Sequence, residues 1–529
     1  MRSTNNKKMA RLTSFSKFII TLLIVGAAYF IGSYFLNKTK TGQDLKGKAN
    51  SEQKGGGLFG GDSKSDENTI GVGVVTWGGY AGGQYWNNGF AANEESRYFK
   101  ENGFKVEFKI LDDPTASRNA WKNDEVQLLW ATIDALPTEM PGLADYDPVV
   151  LFQADWSRGG DAIVVRRGIT SVSDLRGKQV AVAEMSPSHS FLIWLLSAAG
   201  MTTNDVKIVG VPSPVEAADA FKANNVDAAV VWSPFDEECV QKVPGARVLQ
   251  STRNASNIIA DVFIAKRKWV EANRDRVQQL YDGWMKGAAE INRSNTAKQQ
   301  AAAILADAFD GFTKEDALKA IDNVRLCTHG DNVNFFGLNK GNYKGVSGED
   351  LYSRMTKEYR NVGVLKGSDV VPGWSKTAWF STVERSSLGG AENAAEGQKT
   401  FASISENEAR NKEAVATKRV SISFRSGEFL LDDNAKYIVD NEMVPIAKAF
   451  ANSRIRVEGN TDNVGNAASN VSLSKKRAQA VIDYLVKEYG MPRSRFVAIG
   501  NGPDNPVADN GSEDGRRKNR RTDFELVEE

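Results

Sequence analysis

The sequence predicts an α/β protein that begins with a single transmembrane helix and ends in a smaller α+β domain. Three observations support this prediction. From about residue 68, short apolar segments alternate with amphipathic helical segments, which is typical of parallel sheet packed between helices. A shorter series of strands and helices occupies the carboxyl end, and a long apolar run lies near the amino end. The 529 residues are enough for two or three domains.

The composition excludes several classes of function. Hydrophobic residues make up 41% and charged residues 25% of the chain, and the net charge of +1 gives no indication of a nucleic-acid partner. Two cysteines, Cys239 and Cys327, are too few for a disulfide framework or a four-cysteine zinc site. We expect them to be buried thiols, with a single bridge as the alternative. The two histidines, His189 and His329, are too few for a histidine-rich metal site. We expect no metal and no cofactor.

The first 36 residues predict a membrane anchor. Residues 1–17 carry five basic and no acidic side chains, and residues 18–36 are almost wholly apolar. A helix of that length rises nearly 30 Å at about 1.5 Å per residue, which spans the hydrocarbon core. The basic tail predicts that the amino end is cytoplasmic and the rest lies outside. A cleavable signal peptide is the alternative, although the apolar run continues beyond the suitable residues 25–27.

Two polar segments rich in small residues divide the remaining chain. Residues 37–68 have no apolar period and predict a flexible linker. Residues 386–415 predict a second linker, with a short charged helix at 406–412. The predicted order is a cytoplasmic tail at 1–17, a transmembrane helix at 18–36, a linker at 37–68, the α/β domain at 69–385, a linker at 386–415 and the carboxyl-terminal domain at 416–529.

Candidate binding residues lie where strands of the α/β domain end. In open α/β sheets a ligand sits outside the carboxyl ends of the strands. The loops there combine aromatic rings, hydroxyls, an imidazole and a carboxylate, on Trp77, Tyr80, Thr132, Asp134, Ser186, Ser188, His189 and Trp232. A helix amino end at Ser186 favours an anion, whereas Asp134, Asp261 and the aromatic rings suit an amine. Helix capping by the serines and core packing of the tryptophans are the alternatives.

The segments 160–165, 171–182 and 225–234 resemble extracytoplasmic solute-binding proteins of ABC importers, of the nitrate, sulfonate and taurine type. The resemblance spans roughly residues 68–385. It implies a two-lobed, periplasmic-binding-protein-like clamp that closes around a small solute, with seven of these eight residues, all but Thr132, near that solute. One enzyme branch of this fold makes the thiamine pyrimidine and needs a cysteine-rich motif, which this sequence lacks. The chain also has no Ser/His/Asp order, P-loop or metal-spaced triad, so we expect no enzymatic activity.

The carboxyl-terminal domain contains a possible pair of opposite charges. Asp462 lies on a Gly-bounded turn and Arg477 lies near the start of a helix. An aspartate can hold an ammonium group and an arginine can hold a carboxylate, so a zwitterionic amino-acid end would fit the pair. The alternative is two surface charges with no shared partner. The predicted elements run in βαβαβ order, with strands at 420–424, 455–458 and 495–499, helices at 433–452 and around Arg477, and a closing strand at 524–526.

Three motifs in this domain match a known pattern. They are T-D-x-x-G at 461–465, N-x-x-L-S-x-x-R-A at 470–478 and N-R-R at 519–521. The region from about 415 to 529 resembles the OmpA-like domain that binds peptidoglycan. The resemblance implies that Asp462 and Arg477 grip the diaminopimelate of the peptide stem. It also implies a wall site whose other members are Thr461, Asn470, Asn519 and Arg520. The sequence departs from the family at Asn460, where many members have histidine.

The two resemblances predict one architecture with two functional hypotheses. The protein is expected in the inner membrane with its bulk in the periplasm, binding a small solute and attaching non-covalently to peptidoglycan. One hypothesis has the clamp delivering its solute to an ABC permease. The other has a structural or sensory scaffold that bridges membrane and wall and uses the clamp as a docking module. A flagellar stator role is disfavoured because residues 18–36 contain no acid to carry protons.

Overall fold

The computed structural model describes residues 68–339, 343–422, 424 and 427–527. Asn68–Glu529 form one compact unit. The tail and the transmembrane helix predicted at 1–36, and the linker predicted at 37–68 apart from its last residue, lie outside the described residues. Within the described ranges, no helix is both long and apolar enough to cross a membrane.

Fifteen strands are described. In chain order they are β1 Thr69–Val74, β2 Lys105–Ile110, β3 Leu128–Thr132, β4 Pro148–Ser157, β5 Asp161–Val165, β6 Gln179–Ala183, β7 Lys207–Val211, β8 Ala228–Trp232, β9 Arg247–Ser251, β10 Ala260–Lys266, β11 Val324–Leu326, β12 Ala414–Val420, β13 Arg454–Asn460, β14 Phe496–Gly502 and β15 Thr522–Val527.

The α-helices of the first 335 residues mostly cover the faces of these strands. They are α1 Ala81–Trp86, α2 Arg97–Asn102, α3 Pro114–Lys122, α4 Leu136–Leu143, α5 Pro187–Ala198, α6 Pro214–Lys222, α7 Phe235–Lys242, α8 Arg267–Ala272, α9 Arg274–Arg293, α10 Asn295–Ala308, α11 Lys314–Asp322 and α12 His329–Phe335. The later helices are α13 Gly348–Asn361, α14 Trp374–Thr377, α15 Ser381–Glu384, α16 Glu406–Asn411, α17 Asp433–Glu442, α18 Val444–Ala449, α19 Ala467–Tyr489 and α20 Glu513–Asn519.

The α/β region contains two sheets. The first has the order β11-β4-β10-β3-β1-β2, and the second has the order β7-β6-β8-β5-β9. In the first sheet β1 runs parallel to β2 and β3, whereas β10 runs antiparallel to β3 and β4. Strand β3 is buried along its whole length, as expected of a strand covered on both faces. The predicted parallel sheet packed between helices is therefore present in each lobe, with antiparallel strands added.

Two crossing segments connect the lobes. The chain leaves the first sheet at the end of β4 and enters the second at β5, through residues 157–161. It returns from β9 to β10 through residues 251–260. A two-segment connection of this kind allows two lobes to move about a hinge.

The carboxyl-terminal domain has a mixed sheet of order β12-β15-β13-β14, in which β13 and β14 are parallel and β15 is antiparallel to β13. Helix α19 lies directly against β13. A Cβ built on Gly459 would be 2.1 Å from the carbonyl oxygen of Ser474, so glycine is required for this close approach.

Two sequence predictions of local structure need correction. The first strand of this domain ends at Val420, where its ladder with β15 ends, so it lies before the predicted 420–424. The helix predicted at 433–452 is broken at Met443 because Pro445 cannot donate a backbone hydrogen bond.

The carboxyl-terminal domain contacts the second crossing segment. The backbone N–H of Asn257 donates to the carbonyl oxygen of Ala449 at 2.9 Å. Asn452 Nδ2 donates to the carbonyl oxygen of Arg253 at 3.1 Å. Apolar residues of the two lobes and of the carboxyl-terminal domain also belong to one continuous buried cluster. The domain is therefore packed onto the hinge region of the clamp.

The segment between the two domains also contacts the hinge region. Within 386–415 the chain forms a short 3₁₀ turn at Ala391–Asn393, helix α16 and the start of β12. Glu396 Oε2 accepts from Arg158 Nη2 at 2.7 Å, and Arg158 belongs to the first crossing segment. The backbone N–H of Glu396 donates to Asp331 Oδ1 at 2.7 Å. This segment is thus held against the clamp by specific polar contacts.

Candidate functional site

The cleft between the lobes holds a small cavity at the edge where the strands end. The cavity measures about 20 Å³, which is room for about one water-sized group. Both lobes and the second crossing segment contribute to its wall, through Val75, Thr76, Trp77, Trp130, Thr132, Asp161, Pro187, Trp232, Ile259 and Asp261. The clamp is therefore closed in this structure.

Trp77 fills most of the gap between the lobes. It follows β1, and its Nε1 donates to Asp155 Oδ2 at 3.3 Å. The edge of its ring lies against Gly160 of the first crossing segment, where an added Cβ would be only 2.0 Å from Trp77 Cη2. Closure thus depends on a glycine at position 160.

Two carboxylates line the cavity from opposite lobes. Asp161 begins β5 and accepts from Ser157 Oγ at 2.7 Å. Asp261, in β10, accepts from the Tyr80 hydroxyl at 2.5 Å. Burial raises the pKa of each carboxyl group to about 7, although the hydrogen bond from its hydroxyl partner lowers it.

Two further buried carboxylates lie around the cavity. Asp155, in β4, is paired with Asp261 in the sheet register, and Asp134 lies two residues beyond the end of β3. Burial raises the pKa of both carboxyl groups well above the usual range. The negative charge of Asp261 raises both further, whereas the Trp77 N–H opposes the shift at Asp155. The closed cleft therefore concentrates acidic groups.

The structure places the eight predicted solute-binding residues at this cleft in two layers. Trp77, Thr132 and Trp232 line the cavity itself. Tyr80 and Asp134 are fully buried behind it. The other three predicted residues, Ser186, Ser188 and His189, also do not line the cavity.

The three predicted residues at the start of α5 have structural partners. Ser186 Oγ accepts from the backbone N–H of Ser188 at 3.2 Å, which makes Ser186 a helix cap. Ser188 Oγ accepts from Trp232 Nε1 at 3.1 Å and so connects α5 to the end of β8. His189 Nδ1 accepts from the backbone N–H of Met185 at 3.2 Å, and burial lowers the pKa of this imidazole to about 4. His189 is accordingly neutral at physiological pH.

Three residues at the cavity were not predicted from the sequence, and the role of a fourth was predicted only in part. Trp130, Asp155 and Asp161 were not singled out, and Asp261 was noted only for its charge. Asp161 and Asp261 lie at the amino ends of antiparallel strands, and these ends meet the carboxyl ends of their neighbours. Asp261 is paired with Thr132 and Asp161 with Trp232 in this way. A search confined to the carboxyl ends of parallel strands does not find them.

In the carboxyl-terminal domain, Asp462 lies in the turn that follows β13. Its Oδ1 accepts from the backbone N–H of Val464 at 3.0 Å, and its Oδ2 accepts from Arg520 Nη1 at 2.6 Å. Arg520 also pairs with Glu513 at 2.7 Å. Thr461 Oγ1 donates to the carbonyl oxygen of Asp462 at 2.8 Å. The turn thus holds one carboxylate oriented by a neighbouring guanidinium.

Arg477 lies on α19 close to this turn. Its Nε donates to the carbonyl oxygen of Glu428 at 3.0 Å, and its guanidinium lies 4.8 Å from the ring centre of Phe424. Burial lowers the pKa of Arg477, while the charge of Asp462 raises it and that of Arg520 lowers it. Asp462, Arg477 and Arg520 therefore form one electrostatically connected group.

The remaining predicted wall-binding residues support the loops. Asn470 Nδ2 donates to the carbonyl oxygen of Val464 at 3.0 Å and closes the turn around Asp462. Asn519 is fully buried, and its Oδ1 accepts from the backbone N–H groups of Val507 and Ala508 at 2.8 and 3.0 Å. The structure thus separates a charged group, in which Asp462 is buried and the two arginines are half-buried, from a buried amide that shapes the loop.

Two family models match separate parts of the chain. Residues 88–294 match the NMT1/THI5-like family, and residues 423–520 match the OmpA family. The first match covers much of both lobes of the clamp. The second covers the turn of Asp462, helix α19 and Arg520.

Curated relatives match parts of the chain. Outer membrane porin F of Pseudomonas aeruginosa is 36% identical over 115 residues, which are 22% of this chain and 33% of that protein. Peptidoglycan-binding protein ArfA of Mycobacterium tuberculosis is 38% identical over 90 residues, 17% of this chain and 27% of that protein. A putative binding protein of Brucella abortus is 28% identical over 122 residues, 23% of this chain and 38% of that protein. The chain thus spans about a third of the length of these relatives.

Solved structures similar to the chain include two periplasmic binding proteins. The aliphatic sulphonate binding protein SsuA from Escherichia coli has a TM-score of 0.46 at 16% identity, over 65% of this chain and 98% of its own. The nitrate-binding protein NrtA from Synechocystis PCC 6803 has a TM-score of 0.43 at 14% identity, over 60% of this chain and 86% of its own. The chain is therefore similar to the NMT1/THI5-like family over residues 88–294 and to the OmpA family over residues 423–520, and a stretch of 90 residues is similar to a peptidoglycan-binding protein.

Proposed function

We propose that the carboxyl-terminal domain attaches the chain non-covalently to peptidoglycan through Asp462 and Arg477. The observation that supports this most directly is the opposite charge of these two groups within one electrostatically connected cluster. The amino-acid end of diaminopimelate carries an ammonium group and a carboxylate on one carbon. Asp462 would take the ammonium group and Arg477 the carboxylate, each through a charge-assisted hydrogen bond. The site is completed or supported by four further residues, Thr461, Asn470, Asn519 and Arg520.

Co-sedimentation of the purified full-length chain with peptidoglycan sacculi tests this proposal. The wild-type chain is expected to pellet saturably, and Asp462→Asn or Arg477→Gln to weaken binding about tenfold or more, since each removes a charge-assisted hydrogen bond. Asp483→Asn and Arg493→Gln change exposed charges of the same domain and serve as matched controls. Equal pelleting of all five proteins would overturn the proposal.

The clamp, in the same proposal, binds a small solute by closing about its hinge. Two features support this function: residues from both lobes line one cavity, and two segments connect the lobes. Solute binding would shift an equilibrium between open and closed forms. Delivery of that solute to an ABC permease is one use of such a clamp. The proposed activity is binding, with no enzymatic step and no cofactor.

A thermal-shift screen on the full-length chain tests solute binding. The compounds are small anions, sulfonates, amino acids, amines and wall fragments. A saturable rise in the unfolding midpoint that is lost in Trp77→Ala supports a working clamp. Val370→Ala, at an exposed apolar residue, is the control for loss of an apolar side chain. If no compound shifts the midpoint of the folded chain, solute binding is wrong.

The second candidate function is a structural or sensory scaffold between membrane and wall. The observation that favours it is the packing of the OmpA domain against the hinge region, where Asn452 contacts the carbonyl of Arg253. A clamp held in this way could serve as a docking module. Persistent wall binding together with a failed solute screen would favour the scaffold over the solute-binding function.

The anchor completes the proposal. Residues 18–36 would hold the chain in the inner membrane as a single pass, with the clamp and the OmpA domain in the periplasm. Alkaline carbonate extraction of membranes and the intact mass of the mature protein test this. An anchored chain stays in the membrane pellet with residues 1–36 retained. A chain shortened near residue 27 and released by carbonate would overturn the anchor.

A further inference from the structure

The closed cleft contains carboxylates without a cationic side chain to balance them. Asp161 and Asp261 line the cavity, and each accepts its hydrogen bond from a neutral hydroxyl group. Asp155 accepts from the neutral indole of Trp77. Across the described part of the chain, no lysine, arginine or histidine forms an ion pair with any of these three carboxylates or with Asp134.

The nearest cationic side chains are already engaged. Arg118, whose charge acts on Tyr80, forms a two-pronged pair with Glu139 at 2.7 and 2.8 Å. Arg158, whose charge acts on Asp155, pairs with Glu396 at 2.7 Å. Each guanidinium group thus pairs with a glutamate outside the cavity wall, and neither forms an ion pair with a carboxylate of the cleft.

Buried carboxylates without a cation are unfavourable as anions. Burial therefore favours their protonated forms, which is the direction of the pKa shift of Asp134, Asp155, Asp161 and Asp261. A positively charged ligand in the cavity would stabilise the ionised forms and displace the bound protons. An anionic ligand would add to the repulsion.

Thr132 provides an independent indication of a ligand in the same cavity. Its side chain lines the cavity and is 3% exposed, and its Oγ1 has no hydrogen-bond partner among the described residues. Buried hydroxyls usually have such a partner. Asp261 is its neighbour in the sheet register, so a donor placed between them would satisfy both groups.

The size and the aromatic wall of the cavity restrict the ligand further. The volume of about 20 Å³ admits a group of the size of water or ammonium. The rings of Trp77 and Trp232 line it, and aromatic faces attract organic cations. The third tryptophan of the wall, Trp130, already contacts a cation, because the guanidinium of Arg118 lies 4.5 Å from its ring centre. Within the described ranges, no three His, Cys, Asp or Glu side chains are arranged to hold a metal ion.

We propose that the clamp recognises a small organic cation with an ammonium group, held between Asp161 of one lobe and Asp261 and Thr132 of the other. This inference rests on the proposed solute-binding function and specifies the class of solute. The ammonium group donates to both carboxylates and to Thr132 Oγ1. Because the two carboxylates belong to different lobes, the cation itself connects the lobes and favours closure.

Titration calorimetry and thermal shift on the full-length chain test the proposal, with methylammonium and ethylammonium chloride as probes. Sodium chloride, sodium methanesulfonate and sodium nitrate at equal ionic strength are the comparison salts. The amines are expected to bind saturably and raise the unfolding midpoint. Asp161→Asn and Asp261→Asn are expected to weaken amine binding at least tenfold. Asp310→Asn, at an exposed carboxylate of the same clamp, should bind as wild type.

Proton release provides a second readout on the wild-type chain, which does not depend on the variants folding. If the cation displaces protons from the buried carboxyl groups, the binding enthalpy near pH 7 changes with the ionisation enthalpy of the buffer. The expected release is a substantial fraction of one proton per amine bound. Amine binding without proton release, or with equal strength in both variants, would overturn the proposal.

The comparison salts separate this proposal from the function on which it rests. Saturable binding of methanesulfonate or nitrate, with no binding of amines, would overturn the cationic class and leave the solute-binding clamp intact. A chain that binds none of these probes, and none in the wider solute screen, would overturn both.

Discussion

The indole of Trp77 lies so close to Gly160 that a Cβ at position 160 would come within 2.0 Å of Trp77 Cη2. Trp77 belongs to the first lobe and Gly160 to the segment that crosses into the second. Protein interiors leave little room for an added methyl group. The contact therefore requires glycine at position 160 in the closed clamp.

Gly160→Ala is expected to oppose closure. Its methyl group would displace the Trp77 ring, so we expect solute affinity to fall at least tenfold and tryptophan fluorescence to shift to longer wavelength as Trp77 gains exposure. Binding to sacculi should not change. Gly142→Ala, where an added Cβ meets nothing within 4 Å, is the control. Wild-type solute affinity in Gly160→Ala would show that closure does not depend on this contact.

The cleft shows what the sequence could and could not predict. The alternation of strands and helices beyond residue 68 was predicted because strands such as β6 and β8 are apolar runs between polar turns. The predicted residues Trp77, Thr132 and Trp232, at or just after the ends of β1, β3 and β8, do lie at one cavity, and their binding of a ligand stays a prediction. Asp161 was not found, and Asp261 was noted only for its charge, because their positions at the cavity depend on antiparallel pairing with strands distant in sequence. Periodicity within one segment carries no information on such pairing.

The ion pair of Arg158 with Glu396 leads to a prediction on hinge mobility. Glu396→Gln would leave the Arg158 guanidinium, which is 12% exposed, without its carboxylate. We expect faster hydrogen exchange in residues 157–161 and a loss of about 1 kcal/mol of stability, modest because Glu396 is 43% exposed. Glu392→Gln, at an exposed side chain, is the control. Unchanged exchange in 157–161 would show that this contact does not restrain the hinge.

Asp161 predicts a dependence of stability on pH. Its pKa is about 7 in the folded chain and near 3.8 when exposed, so the folded state keeps a proton that the unfolded state releases between these values. Stability conferred by this group is therefore highest at low pH and falls as pH rises towards 7. Asp161→Asn removes this loss of stability because asparagine has no group that ionises in this range. Relative to wild type, it should gain stability between pH 5 and pH 8 in urea unfolding, by up to about 4 kcal/mol at 1.36 kcal/mol per unit. If the free energy of unfolding depends on pH in the same way in wild type and in Asp161→Asn, this prediction is wrong.

In the carboxyl-terminal domain the sequence motifs predicted the positions of residues better than their roles. The motif residues Asp462, Arg477 and Arg520 do lie together, because the turn after β13, helix α19 and the end of α20 meet at one place. Asn519 belongs to the same motif but is fully buried. Motif spacing cannot distinguish a side chain that contacts a ligand from one that holds a loop, since both are determined by tertiary packing.

Mutation of Asn519 is therefore expected to lower stability, whereas mutation of Asp462 is expected to weaken wall binding. Asn519→Ala removes the acceptor of the N–H groups of Val507 and Ala508 and should lower the free energy of unfolding by about 1–3 kcal/mol, because the amide of Asn519 is itself fully buried. Asp462→Asn keeps an oxygen for Val464 and loses an ion pair with a partner that is 39% exposed, so its stability should change by less than about 1 kcal/mol. Urea unfolding and sacculus co-sedimentation, measured on both variants, separate the two effects. A large loss of stability in Asp462→Asn, or undiminished wall binding, would assign Asp462 to the fold instead of the ligand.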